Sequence, residues 1–238
     1  MTIKKHNILL ALLSLTMFCS CAKDMDHMAW PADPGEDDTP IVFLRDTDYE
    51  AWTHIGGLEE RFAACEIPAE VLNTKTTRAL GLSILHYPLN GIIFAYNFWD
   101  MPVKMIYDKS PLHQALAVRK DAAEVLIDIF DKTSIDPDII VSQDYQIISL
   151  FDEVFLEFFL GTKLVRGLDS NANRKKLSAI VSRKLKERSS DDSSINVSLI
   201  ALAYMNERLG LGLKFDDDIV DTMHHFTLGD GIFDYNYR

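Results

Sequence analysis

Between Ile147 and Leu160 the chain carries the pattern that most limits its fold. Ile147, Ile148, Phe151, Val154, Phe155, Phe158 and Phe159 recur at the i, i+3, i+4, i+7 spacing of one helix face. Asp144, Asp152, Glu153 and Glu157 fall on the other side. Leu150, Leu156 and Leu160 widen the apolar face, so the spacing predicts a helix over 144–160 packed on several neighbours. A sheet protein would need sustained period-two alternation, or an Asn-Gly turn joining two β-branched runs, and neither is found.

Shorter helical signals cover most of the remaining chain. Leu58, Phe62 and Cys65 share a face until Ile67-Pro68 stops it, and 68–72 can add one further turn. Thr76 or Thr77 caps a helix running to Tyr87, with Leu80, Ile84 and Tyr87 inward. The apolar segment 92–98 is broken by Asp100 and Pro102. Ser110-Pro111 reads as an N-cap followed by proline at the first helical position. Asp121 opens a helix with Val125, Leu126, Ile129 and Phe130 buried, ending near Thr133 before an Asp136-Pro137 turn. Asp169 or Ser170 starts a helix through Arg188, and Ser193 or Ser194 starts one through Leu209 that Gly210 ends. Asp216 caps a last helix holding Ile219, Val220, Met223 and Phe226. The run 41–44 either caps the body or pairs as a small strand. The expectation is a single all-α domain over 41–238, with roughly eight helices joined by short connections. Its antiparallel helical hairpins stack either as an α-solenoid (armadillo- or HEAT-like) or as an irregular helical bundle.

Composition narrows the function classes. At 47% apolar and 25% charged, the 238-residue chain is an ordinary globular one, which excludes disorder throughout. A net charge of −12 leaves no basic field for phosphates, so nucleic acid is not an expected partner.

The first twenty residues read as a targeting segment. Lys4 and Lys5 precede an apolar stretch over 8–18, too short to span a bilayer. It ends in Phe18-Cys19-Ser20-Cys21, which resembles a bacterial lipobox. That resemblance implies cleavage before Cys21 and lipidation of Cys21, and so a membrane partner through a lipid anchor. The plainer alternative is an ordinary secretory signal with Cys21 left as a thiol. Removal of 1–20 leaves 22 basic and 36 acidic residues, a balance of −14, and only Cys65 beyond the anchor, so no internal disulfide can form. Residues 21–40 hold Pro31, Pro34, Pro40 and several acids, and read as an extended tether. The early acids Asp24, Asp26, Glu36, Asp37 and Asp38 are similar to the acidic stretch that marks Bacteroidetes lipoproteins for the cell surface, which points to the outer membrane.

No phosphate loop, dinucleotide fingerprint, zinc-protease motif, nucleophile elbow or paired-cysteine motif is present, so no cofactor, no metal and no catalytic residue is expected. Cys65 lies on an apolar stripe and reads as a small core residue. Asp221 and His225 stand at i, i+4, but helix-terminal electrostatics explain both. Two features remain as candidate binding sites. Tyr87, Asn90, Tyr96, Asn97 and Trp99 gather aromatics and amides around a Pro/Gly break, where they could line a groove for protein, peptide or glycan; core packing is the alternative. The segment 172–188 is strongly basic, with Arg174, Lys175 and Arg183 as its candidate face for anionic lipid or glycan. The alternative is a face that pairs with acids elsewhere on the body.

A resemblance to a family rests on four stretches. They are Leu58-Glu-Glu-Arg-Phe-Ala-Ala-Cys-Glu-Ile-Pro68, then Thr77-Arg-Ala-Leu with Tyr87-Pro88-Leu89, then Phe94-Ala95-Tyr96-Asn97, and Arg119-Lys120-Asp121-Ala122. Together they resemble a group of uncharacterised lipoproteins from gut Bacteroidetes, over roughly a third of the chain. The resemblance implies a helical body behind a lipid anchor and brings no activity with it. Three function classes follow as expectations: an envelope-anchored binding scaffold, a hydrolase acting on envelope or dietary polymer, and a structural envelope component.

Overall fold

A computed structural model describes residues 30–135, 147–188 and 196–227. The chain divides after Trp30, and everything from Pro31 onward belongs to one unit. In chain order its α-helices are α1 (Leu44–Thr47), α2 (Tyr49–Thr53), α3 (Leu58–Ala64), α4 (Ala69–Thr74), α5 (Thr77–Leu85) and α6 (Asp100–Lys109). They continue with α7 (Pro111–Ala117), α8 (Ala122–Lys132), α9 (Leu150–Gly161), α10 (Asn171–Arg188), α11 (Asn196–Leu209) and α12 (Asp217–Phe226). A 3-10 segment spans Asn90–Ala95, and two-residue strands Ser134–Ile135 and Ile147–Ile148 pair in parallel. The protein is all-α, as its periodicity predicts.

The local chemistry explains most boundaries. Thr76 Oγ1 accepts from the Ala79 amide at 3.0 Å, and Ser170 Oγ accepts from the Asn173 amide at 3.2 Å, each covering an otherwise open helix-start donor. Pro111 opens α7. Gly210, at φ 62°, takes the left-handed position that ends α11. The helix expected over 144–160 begins later, at Leu150. Ser149 is its N-cap: Ser149 Oγ accepts from the Asp152 amide at 3.2 Å and donates to Asp152 Oδ2 at 2.7 Å. Ile147 and Ile148 sit in the short strand instead, and Asp144 lies outside the described residues. The helix α6 was not expected, because Pro102 reads as a breaker. Proline is tolerated there because it falls in the first turn, where amides have no intrahelical acceptor. More helices occur than the expected eight because α1 and α2, at four and five residues, are too short to show a period.

Helix α9 is the centre. It packs against α5, α6, α11 and the 3-10 segment, while α11 also contacts α10 and α12, and α5 contacts α7 and α8. Among the described residues α5 is a second meeting point, and α8 also contacts α10. Phe155, Phe158 and Phe159 are fully buried, each worth about 1.5–3 kcal/mol of transfer free energy. At Gly161 a Cβ would stand 2.6 Å from the Tyr204 ring, so a bare Cα is what lets α9 and α11 close.

The segment 32–41 is fastened to the rest of the body by backbone hydrogen bonds. The Gly35 amide donates to the Lys75 carbonyl at 2.9 Å, Asp37 N to Thr74 O at 2.9 Å, Thr76 N to Asp37 O at 2.9 Å, and Lys120 N to Ala32 O at 3.0 Å. Ile41 N donates to Ser83 Oγ at 2.8 Å. Just beyond, Phe43 is buried edge-on against Tyr87 at 5.5 Å, so 41–44 caps the body.

Candidate functional site

Helix α9 inverts part of its sequence pattern. Glu153 and Glu157, expected on the solvent side, are fully buried, and Asp152 is buried with them. Phe151, expected on the apolar stripe, is 44% exposed. Both inversions have partners that explain them.

The buried acids face α10. Lys184 Nζ donates to Glu153 Oε1 at 2.8 Å and to the Thr133 carbonyl at 2.8 Å, and it lies 4.8 Å from the centre of the Phe130 ring. Arg188 Nη1 pairs with Glu157 Oε1 at 2.5 Å, and its Nη2 pairs with Glu153 Oε1. Ser198 Oγ, from α11, donates to Glu157 Oε2 at 3.1 Å and accepts from Arg188. Burial pushes the Glu157 carboxyl upward, against the pull of Arg188. Two cations and two carboxylates thus cross-link three helices in the dry interior. Glu153 and Glu157 are a pair of carboxylates one turn apart, yet sealed from solvent, so no polymer reaches them in this conformation.

This cluster takes up two bases of the basic segment. Of its charges, Lys184 and Arg188 turn inward, and Arg183 is spent on Asp131 at 2.8 Å and Glu187 at 3.0 Å. Arg174 donates to Asn171 Oδ1 at 2.6 Å, and Lys175 is exposed. Pairing with acids elsewhere on the body accounts for three of the seven bases of the run, Arg183, Lys184 and Arg188. The signal was present in sequence as matched i, i+4 spacing: Glu153 with Glu157, and Lys184 with Arg188.

The aromatic segment is split by the structure. Tyr87 and Asn90 are core residues, 1% and 0% exposed. Tyr87 packs between Phe43 and His113. Asn90 Nδ2 donates to the Ile84 carbonyl and to Asp152 Oδ1, both at 2.9 Å, tying the turn after α5 to α9. Burial raises the Asp152 carboxyl to about 6 despite those donors. Neither Tyr87 nor Asn90 can line an open groove. Tyr96 and Trp99 are half-buried and Asn97 is exposed.

Trp99 organises what reaches the surface. Its ring stacks on Phe226 at 4.6 Å and 5°, with Phe94 edge-on at 5.7 Å, and its amide donates to the Phe226 carbonyl at 2.8 Å. Phe94 in turn meets Phe151 at 5.2 Å, and Trp99 reaches back to the buried Phe158 at 6.4 Å. Phe98 is 36% exposed. Aromatic rings from three separate parts of the chain therefore form one continuous surface rooted in the core. Phe94, Phe151 and Phe226 were not singled out from sequence, where each reads as one more helix-face apolar residue.

Other polar groups have structural roles. Cys65 is buried, and desolvation pushes its thiol up to about 12, far from a reactive thiolate. Ser110 Oγ and His113 Nδ1 lie 2.8 Å apart, a nucleophile–base distance, but the two residues are 2% and 0% exposed. His113 sits edge-to-face with Tyr87, Phe155 and Phe159, and burial alone takes it down to about 3. His224 Nε2 stands 3.2 Å from Glu207 Oε2 across α12 and α11. No family model matches the chain, and neither a curated protein nor a solved structure does.

Proposed function

We propose that this chain is an envelope lipoprotein, cleaved before Cys21 and lipidated there, whose helical body docks another protein or peptide through Phe94, Phe98, Trp99, Phe151 and Phe226. The observation that carries the reading is the exposure of Phe151, at 44%, on the most buried helix of the fold. A ring that could point inward from a central helix is instead held outward against Phe94, which Trp99 joins to Phe226. Contiguous exposed aromatic surface is a common mark of association. Phenylalanine dominates the patch and offers no hydrogen-bonding tip, which favours an apolar protein surface over a sugar. The lipobox and the acidic residues that follow it supply the address, at the outer membrane.

Site-specific photo-crosslinking in the native envelope tests this. A benzophenone side chain at position 151 should give an adduct of defined mass that position 175 does not give and that Phe98→Ser abolishes. Equal labelling from both positions would refute the patch. Retention of an unmodified Cys21 would refute the anchor.

A further inference from the structure

We infer that residues 32–41 act as a clasp that limits how far the helical body can stand from a bilayer holding Cys21. This rests on the lipid-anchor reading for its functional meaning, but the clasp itself stands on contacts within the body. Its backbone is held at four positions of the body, Lys120 between two helices and Thr74, Lys75 and Thr76 at the α4–α5 junction. Gly35 sits so close to α4 that a Cβ there would stand 2.1 Å from the Thr74 carbonyl oxygen and 2.7 Å from that of Asn73. Only glycine allows that approach.

Charge follows the same line. Asp37 pairs with Lys75 at 2.6 Å, Asp38 with Arg78 at 3.1 Å, and Asp33 with Lys120. Asp38 also accepts from Thr76 Oγ1 at 2.6 Å. Three acids of the clasp thus lie on three bases of the body edge. Arg119, next to Lys120, is fully buried and donates to the Leu72 carbonyl at 3.1 Å. The early acids that read as a surface-sorting signal therefore have a second role in Asp37 and Asp38, as the fasteners of the strap.

The consequence is a matter of chain length. With the clasp closed, about eleven residue steps separate Cys21 from the first fastened position, Ala32, and even fully extended they span no more than about 40 Å. With it open, the free chain runs to Ile41 and extends that reach to roughly 70 Å. A closed clasp keeps the body within about one domain diameter of the bilayer, where a long free tether would let it range widely.

Two readouts separate the clasp from the anchor. Hydrogen exchange on the full mature chain should show peptides over 32–41 and 72–78 protected at least tenfold relative to Gly35→Val. Peptides from 150–161 should exchange equally in both. Asp37→Asn/Asp38→Asn, which leaves the backbone path open, should show intermediate protection. Equally fast exchange over 32–41 in wild type and Gly35→Val would overturn the clasp. The lipidated chain is then placed on phosphatidylcholine vesicles with a donor dye at an introduced Glu124→Cys and an acceptor in the headgroups. Energy transfer should fall at least twofold in Gly35→Val, and unchanged transfer would overturn the leash. A chain that does not bind vesicles sinks the anchor reading alone, and the exchange result still judges the clasp.

Discussion

Replacing His113 with leucine isolates one buried titratable group and gives a pH dependence of known sign. The imidazole is fully buried among Tyr87, Phe155 and Phe159, and desolvation lowers it from 6.5 to about 3. In the unfolded chain it binds a proton below its ordinary value, while in the folded chain it does not until far lower pH. A depressed folded-state value means that stability is complete above the unfolded value and is lost as pH falls toward the folded one. Between about pH 7.5 and about pH 4.5 the histidine takes up a proton only in the unfolded chain, over about two pH units at 1.36 kcal/mol each, or about 3 kcal/mol. Leucine cannot take up a proton, so this loss belongs to the wild type alone. Urea unfolding followed by far-UV circular dichroism on both proteins measures it. The wild-type stability minus that of His113→Leu should fall by about 3 kcal/mol across that pH range. A difference that stays flat would mean that His113 titrates normally in the folded protein, and the sealed aromatic cage would be refuted.

Asp152 should behave with the opposite sign. Its carboxyl is raised from 3.8 to about 6 by burial, so the wild type minus Asp152→Asn should gain about 2 kcal/mol as pH falls from about 7.5 to about 4. No trend in paired urea titrations would show Asp152 to be solvated. Glu153→Ala strips a shared acceptor from buried Lys184 and Arg188 and should cost about 3–5 kcal/mol, whereas Arg183→Ala on the surface should cost about 1 kcal/mol or less. Similar urea midpoints for these two variants would count against the interior charge cluster. Gly161→Ala forces a methyl into the Tyr204 ring and should cost about 1–3 kcal/mol by thermal unfolding, and a neutral result would show that α9 and α11 are not in close contact. Phe98→Ser and Phe151→Ser should each cost about 1–2 kcal/mol, below the roughly 3–5 kcal/mol of a fully buried phenylalanine, since both rings are only part-buried. A large loss in the same scan would make them core residues.

Much of the helical body is legible in residue order because helix starts and stops are local chemistry. Thr76, Ser110-Pro111 and Asp216 mark boundaries that the structure repeats to within a residue. What residue order conceals is where a helix points its less obvious face. Periodicity assumes that charge means solvent, and for α9 that assumption fails on Glu153 and Glu157 because α10 brings Lys184 and Arg188 against them. The i, i+4 matching of those four residues was visible, but which helix meets which is a tertiary fact. The same limit applies to the aromatic patch. Trp99 was a candidate from its neighbours in sequence, while its stacking partner Phe226 lies 127 positions away and comes from the last helix. Tyr87 and Asn90 show the reverse: sequence proximity grouped them with Trp99, and folding buries them.

Hydroxyl-radical footprinting of the phenylalanines on α9 tests most directly the claim on which the docking surface depends, that this central helix turns a ring outward while hiding its carboxylates. The structure predicts rapid oxidation of Phe151 and protection of Phe155, Phe158 and Phe159. Protection of Phe151 to the same degree as the other three would contradict it.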